Sequence, residues 1–227
     1  MLWLSGNNRV QKYKKIRKLG RSLNSKIVKV IPRKVIDRTS TDMRIRSKNT
    51  LLLDSEADLD FLFDRIIYDV PWDGKGAIEH FEAGSGLGLS AMEEKLLDAM
   101  KEAYFSLFAV VGGVSGEFLQ LSDLLSDGQI ELTDISLSSA ASKRFLLATR
   151  IIKFEDIFMT SGAGYPFLSE QKDTLISGLK AGQTARIGRK KRATRRIDFS
   201  KPSNYSLYFF RQYKKYGTVE MRTSAEL

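Results

Sequence analysis

Residues 104–167 read YFSLFAVVGGVSGEFLQLSDLLSDGQIELTDISLSSAASKRFLLATRIIKFEDIFMTSGAGYPF, and this stretch decides the fold. It divides into five short apolar runs that glycine-rich or Asp-Gly turns separate. Residues 130–133 alternate apolar and polar side chains as a half-buried strand does. The Asp127-Gly128 pair just before them is a strong hairpin signal. Five strands at this spacing predict a small antiparallel barrel, SH3-like or OB-like, or a curled sheet.

Helical patterns lie on both sides of this stretch. Ser90 with Glu93 three residues later matches a capping box, and apolar residues then recur at helical spacing. Residues 55–68 predict another helix, with Ser55 as its N-cap. Further helical patterns cover 76–81, 169–179 and 205–216. The expected class is therefore α+β: a five-stranded antiparallel barrel or curled sheet with packed helices and basic N- and C-terminal extensions.

The N-terminal residues mix cations with a helical stripe. That stripe consists of Val10, Tyr13, Ile16, Leu19 and Leu23, at steps of three or four. Residues 27–31 (IVKVI) predict a short strand that Pro32 ends. Residues 38–49 are polar and predict a linker.

The charge distribution divides the chain into three parts. The net charge is +13 over residues 1–48, −12 over 49–180 and +9 over 181–227, within a total of +10. We therefore expect a basic N-terminal extension over 1–48, a helical and barrel-like body over 49–182, and a basic, aromatic C-terminal extension over 183–227.

Composition excludes several kinds of protein. Cysteine is absent, which removes disulfides, thiolate metal sites and cysteine nucleophiles. No apolar run approaches the roughly 18 residues that a membrane span needs, and the first residues do not resemble a secretory signal. The absence of acids from residues 1–36 leaves a transit peptide open as an alternative. We expect a cytoplasmic protein without a membrane span.

The central part of the chain resembles a family of uncharacterised bacterial proteins with a small barrel-like module. The stretches that carry the resemblance are FLFDRIIYD (61–69), SLF (106–108), LSDLL (121–125), LTDISLS (132–138), LLATR (146–150) and MTSGAG (159–164). Members of such families sometimes carry a zinc-binding SEC-C motif, but its cysteines are missing here. The resemblance implies an architecture and no activity.

No catalytic constellation stands out, so we expect a non-enzymatic protein without a cofactor or metal. Asp60 and Asp64 lie one helical turn apart and could bind Mg²⁺, but no third ligand follows and a solvated helix face is the simpler interpretation. Residues 84–88 (GSGLG) lack the spacing of a phosphate-binding fingerprint. His80, the one histidine, has no nucleophile signature beside it.

The basic ends are the leading candidate site, because clustered Lys and Arg neutralise phosphates. The predicted phosphate contacts are Arg189, Lys190, Lys191, Arg192, Arg195 and Arg196, followed by Lys14, Lys15, Arg17 and Lys18. They predict binding to RNA, DNA or a ribonucleoprotein without sequence readout. The alternative is a protein–protein interaction or scaffolding module whose basic ends fold onto its acidic body.

Overall fold

The computed structural model describes residues 3–85, 88–140, 143–184 and 201–216. The helices are α1 (Trp3–Val28), α2 (Arg33–Met43), α3 (Ala57–Asp69), α4 (Ala77–Ser85), α5 (Ala91–Lys101), α6 (Ile135–Ala140), α7 (Lys172–Thr184) and α8 (Tyr205–Tyr216). The strands are β1 (Arg46–Ser47), β2 (Thr50–Leu51), β3 (Tyr104–Val114), β4 (Phe118–Asp123), β5 (Gly128–Thr133), β6 (Phe145–Phe154) and β7 (Ile157–Leu168). Short 3₁₀ turns at Ser169–Gln171 and Pro202–Asn204 precede α7 and α8.

Strands β3 to β7 form a closed barrel in the order β3-β4-β5-β7-β6. Every neighbouring pair is antiparallel except β5 and β7, which meet in parallel where Leu132 faces Phe158. Strand directions cannot alternate around a closed ring with an odd number of members, so one pair has to be parallel. The predicted five-stranded barrel is confirmed, with this one departure from a fully antiparallel arrangement.

The connectivity decides between the two predicted kinds of barrel. The first three strands form a meander, α6 separates the third strand from the fourth, and the fifth strand lies between the third and the fourth. This is the Greek-key arrangement of the OB-fold. A glycine assists the curvature, because Gly113 adopts a φ of +148° in β3 and a side chain there would collide with the backbone of Phe118.

The helices form a layer that shares one core with the barrel. Leu23 and Ile27 of α1, Leu62 of α3 and Leu207 of α8 are all fully buried, and they belong to the same apolar cluster as barrel residues such as Leu107. Side chains from the predicted basic extensions therefore help to build the core. The boundaries predicted for the extensions stay a prediction.

Two local predictions at the N-terminal end are wrong. Residues 27–31 are not a strand, since α1 continues to Val28: Ile27 lies four residues after Leu23 and extends the same buried stripe. Residues 38–49 are not a linker, because α2 continues to Met43 and β1 follows. In both places helical periodicity on the core side outweighs the local propensities of the residues.

The start of α3 also differs from its prediction. The N-cap is Glu56, not Ser55, and its side chain makes no capping hydrogen bond. Asp58 in the first turn instead accepts a hydrogen bond from the backbone N–H of Asp54 at 2.8 Å. Asp58 therefore ties the segment before α3 to the helix, and the first-turn N–H groups receive no side-chain cap of the kind that the sequence suggested for Ser55.

The predicted capping box of α5 is present. Ser90 Oγ accepts a hydrogen bond from the N–H of Glu93, and Glu93 Oε2 accepts one from the N–H of Ser90 at 2.9 Å. Lys26 of α1 donates to Glu93 Oε1 at 2.7 Å, so this carboxylate also joins α1 to α5. The Lys26 ammonium and then the two Ser90 groups lower the pKa of Glu93 to about 2.

The Glu93→Gln variant should therefore lose stability in a pH-dependent way. Because the folded-state pKa is depressed, the wild-type advantage is fully present above the ordinary glutamate pKa of 4.5 and is lost as pH falls towards about 2. Thermal melts of both proteins should show a gap in melting temperature at neutral pH that closes in acid. Glu94→Gln, at the exposed neighbouring position, is the control. A gap that is equally large at both pH values would contradict this prediction.

Candidate functional site

The ten predicted phosphate contacts fall into two groups. The C-terminal six, between residues 189 and 196, lie outside the described residues. The other four lie on α1, where Lys14, Lys15 and Lys18 are exposed and Arg17 is half-buried. Among the described residues no ion pair involves any of these four cations, although Arg17 Nη1 donates a hydrogen bond to the carbonyl of Thr160 at 2.7 Å.

The exposed lysines of α1 lie together on its outer side. With 3.6 residues per turn, Lys14 and Lys18 stand one above the other, and Lys15 lies beside them. The opposite side, which carries Ile16 and Leu23, is buried in the core. We call Lys14, Lys15 and Lys18 the lysine ridge. No acidic residue interrupts it, because α1 contains none.

Other cations of α1 are paired with acids of the body. Arg9 contacts Glu131, Lys12 contacts Glu155 at 2.7 Å as well as Asp156, and Lys26 contacts Glu93. The hydrogen bonds that Lys12 donates, first to Asp156 and then to Glu155, raise the pKa of Lys12, and the one to Asp156 lowers the pKa of that carboxyl. This flank of α1 is therefore held against β5 and the loop between β6 and β7.

The C-terminal helix makes a similar contact. Lys214 of α8 donates to Asp54 and, at 2.9 Å, to Asp58 at the start of α3. Asp58 itself is fully buried. Among the described residues, cations from both basic ends thus form ion pairs with acids of the body, while the lysine ridge of α1 faces solvent.

The barrel surface that OB-folds use for ligands is acidic here. That surface is formed by the second and third strands and the loops beside them, which correspond to β4, β5 and the β3–β4 and β6–β7 loops. Residues 111–142 contain no Lys or Arg; of their five acids Glu117 and Asp127 are exposed, Glu131 is half-buried, and Asp123 and Asp134 are buried. The β6–β7 loop adds Glu155 and Asp156, which both form ion pairs with Lys12.

A cavity of about 690 Å³ lies on the other flank of α1, between this helix, α3, α5 and the barrel. Arg17, Arg21 and Lys29 contribute its cations, and Asp60 and Asp64 of α3 its acids. Strands β6 and β7 contribute Ile152 and residues 159–163 to its lining. We call this space the α1 cavity. Its volume falls within the range of small-molecule sites.

A buried ionic cluster lies directly behind the α1 cavity. Arg150 of β6, 3% exposed, places Nε 3.3 Å from Asp64 Oδ2 and Nη2 2.7 Å from Asp69 Oδ2. Its guanidinium also stacks on the ring of Tyr68 at 4.5 Å. Burial would lower the pKa of Arg150, but Asp69 and Asp64 outweigh it and raise that pKa above its ordinary value. Arg150 is therefore a fixed charge that holds α3 against the barrel.

A second buried arginine extends this cluster to the C-terminal segment. Arg65 donates to the carbonyl of Ser203 and the hydroxyl of Ser206, both at 3.1 Å, and to Asn204 Oδ1 at 3.0 Å. Ser206 in turn donates to Asp69. The start of α8 is thus attached to α3 by hydrogen bonds as well as by packing.

Two of the remaining chemical candidates, Asp64 and His80, have structural partners. Asp64 is paired with Arg150, and among the described residues no group of three or more potential ligands is arranged to hold a metal. The structure therefore gives the Asp60–Asp64 magnesium hypothesis no support. His80 Nε2 lies 2.9 Å from the carbonyl of Trp72, and the two rings stack at 4.3 Å. Of the glycine loop, residues 86 and 87 lie outside the described residues, and residues 84 and 85 end α4.

Sequence reasoning missed the α1 cavity and the buried cluster. The stretches FLFDRIIYD and LLATR contain Asp64, Asp69 and Arg150, and of these the sequence suggested a role for Asp64 alone, as a magnesium ligand. The available signal was the presence of charged residues inside otherwise apolar helical and strand patterns, where charges are rarely buried unless paired. The pairing itself spans 81 and 86 residues of sequence.

These features define an OB-topology barrel enclosed by a helical layer. The model of a family of unknown function (DUF7986) matches residues 7–222, and the chain belongs to that family. The match extends over the helical layer as well as the barrel. Comparison with curated proteins and with solved structures gives no match. The predicted membership of an uncharacterised family is thus confirmed. A bacterial origin and a link to SEC-C motifs stay predictions. No described helix is long and apolar enough to cross a membrane.

Proposed function

We propose that this protein is a non-enzymatic binding protein that contacts the phosphates of RNA or DNA, free or in a ribonucleoprotein, through its basic ends. The lysine ridge carries the proposal, because its three ammonium groups are exposed and have no acidic partner among the described residues. Such contacts supply affinity without reading sequence. The C-terminal cations between residues 189 and 196 would add contacts of the same kind.

The charge of the barrel supports α1, not the barrel, as the contact surface. An OB barrel that binds nucleic acid usually does so on the strands and loops that are acidic here. Glu117 and Asp127 on that surface would repel a polyanion, while Glu131 is paired with Arg9. The charged residues therefore favour α1 as the contact surface over the barrel face that fold analogy alone would select.

A second candidate is a protein–protein interaction or scaffolding module whose basic ends are folded on the acidic body. The ion pairs of Arg9, Lys12, Lys26 and Lys214 favour it. In this alternative the cations act within the molecule, and nucleic acid has no part. The two candidates differ in their response to salt, because phosphate binding releases counterions.

The Lys14→Ala/Lys15→Ala/Lys18→Ala variant tests the proposal. Filter binding to mixed RNA and DNA should show wild-type affinity that falls steeply with salt. The slope of log K against log salt is negative, and each lost phosphate contact reduces its magnitude by about 0.7–0.9. The triple variant should therefore reduce that magnitude by roughly two to three. The matched control, Lys34→Ala/Lys95→Ala/Lys172→Ala, removes the same charge from exposed positions on α2, α5 and α7.

Two outcomes would contradict the proposal. One is absence of binding by the wild type even at about 50 mM salt, where phosphate contacts are strong. The other is an equal loss of slope in the two triple variants, which would indicate a general charge effect.

A further variant tests the C-terminal run. It replaces the following residues with alanine: Arg189, Lys190, Lys191, Arg192, Arg195 and Arg196.

A further inference from the structure

We propose that the nucleic acid bound by α1 is double-stranded and lies along a single row of cations on the outer side of this helix. The row consists of Lys14, Lys18, Arg21 and Lys29, so it includes two residues of the lysine ridge and continues beyond them. We call it the α1 cation row. The inference rests on the proposed function and adds to it the class of ligand and two further phosphate contacts.

The four cations share one side of α1. At 3.6 residues per turn, Lys18 and Arg21 lie about 40° and about 20° to either side of Lys14 around the helix axis. Lys29 follows in the turn directly after α1, and it lines the α1 cavity together with Arg21. All four are exposed, and none forms an ion pair among the described residues. Ser25, which is also exposed, lies between Arg21 and Lys29 on the same side, so no acid interrupts the row.

The row is long and rigidly held. Lys14 and Lys29 are fifteen residues apart, which corresponds to about 22 Å of helix. Leu23 and Ile27 on the opposite side of α1 are fully buried, so the core anchors the helix along this length. A nucleic-acid duplex, with a persistence length of about 50 nm, is effectively straight over the same distance. The two rigid partners can therefore meet without the ordering cost that a flexible ligand brings to binding.

A single strand lacks this advantage and gains little in exchange. Proteins that bind single strands combine cations with aromatic rings on which the unpaired bases stack. Among the side chains of α1 that the structure describes, the one aromatic ring is Tyr13, and it is buried. Phe63 of α3 lines the α1 cavity but is half-buried. The row thus offers charge without a stacking surface of its own, which suits a ligand whose bases are already paired.

The acids beside the row do not cancel its charge. The α1 cavity has two of them, and Asp64 is buried and paired with Arg150. Asp60 is exposed, and burial has the largest effect on it by raising its pKa, whereas Arg17 lowers that pKa. Arg17 and Asp60 therefore offset each other, while the four cations of the row keep their charge for phosphates. Lysine and arginine bind phosphate oxygens through charge-assisted hydrogen bonds.

Fluorescence anisotropy titrations of the full chain test the class of ligand. The probes are a DNA duplex of mixed sequence and about 20 base pairs, the corresponding RNA duplex, and one separate strand of each. At about 50 mM salt, at least one duplex should bind about tenfold or more tightly than its own single strand. The DNA and RNA arms then show which of the two duplexes the protein prefers.

Two variants test the row itself. Arg21→Ala/Lys29→Ala should reduce the magnitude of the salt slope for the duplex by about 1.8, because two phosphate contacts are lost. The matched control, Lys34→Ala/Lys172→Ala, removes the same charge from exposed positions on α2 and α7 and should leave the slope nearly unchanged. Phe63→Leu should bind the duplex as the wild type does, because no unpaired base is available to stack on this ring.

The outcomes separate this inference from the proposed function. Single strands that bind as tightly as both duplexes would overturn the inference and leave phosphate binding by the lysine ridge in place. Equal slopes for Arg21→Ala/Lys29→Ala and its control would show that the row ends at the ridge, and this result would also overturn the inference. If none of the four probes binds at about 50 mM salt, the inference and the proposed function both fail.

Discussion

Replacing Arg150 with methionine is expected to lower the free energy of unfolding by about 3–5 kcal/mol. The substitution removes the charge that compensates two buried carboxylates, Asp64 and Asp69, whose side chains are 7% and 4% exposed. The expected loss is mainly the cost of leaving Asp64 without its ion-pair partner and Asp69 with only Arg65, at 3.9 Å, and the hydrogen bond from Ser206. Methionine keeps much of the apolar volume beside Tyr68, so packing changes contribute less than charge.

Urea denaturation of the two proteins measures this loss. The control is Lys34→Met, which breaks an exposed pair with Asp73 in which both side chains are 70% exposed, and it should cost below about 1 kcal/mol. The double variant Arg150→Met/Asp64→Asn should regain part of the stability, because Asp64, whose ion pair among the described residues is with Arg150, is then neutral. This double variant also keeps the test informative if the single variant does not fold. A loss no larger than that of the control would contradict the prediction.

The barrel and several helices could be predicted because their signals are local. The capping box at Ser90, the Asp-Gly turn before β5 and the apolar stripe of α8 each lie within a few residues. Local signals also explain the errors. Residues 27–31 are rich in β-branched side chains, but burial against the rest of the fold keeps Ile27 on the helical stripe. The parallel pairing of β5 with β7 is required only because a barrel of five strands closes. No local sequence signal reports that closure.

The candidate site could be predicted only in part. Exposed lysines are visible in a sequence as a charge pattern, and Lys14, Lys15 and Lys18 are indeed exposed. The partners of Arg9 and Lys12 lie more than 120 residues away, so the sequence could not separate paired from unpaired cations. The α1 cavity depends on three helices and two strands meeting, and no local pattern reports that. Long-range geometry thus decides which of many similar cations is available to a ligand.

Replacing Phe209 with alanine should have an effect of the same size as the Arg150 substitution, about 3–5 kcal/mol. Phe209 of α8 is 0% exposed and joins the helix to the barrel through the rings of Phe105 at 6.0 Å and Phe167 at 6.1 Å. Alanine would remove these ring contacts and leave a cavity between α8 and β3, which the surrounding side chains can fill only partly.

The same substitution tests whether the C-terminal helix α8 unfolds cooperatively with the barrel or unfolds independently of it. If α8 unfolds with the barrel, the unfolding transition of Phe209→Ala shifts to lower urea with an unchanged slope. The control Tyr216→Ala removes an aromatic ring at the 36% exposed end of the same helix and should cost below about 1 kcal/mol. A small effect at both positions would instead show that α8 contributes little to stability. The hydrogen bonds from Arg65 and the burial of Phe209 argue for the first outcome, because they connect α8 to α3 and to the barrel at once.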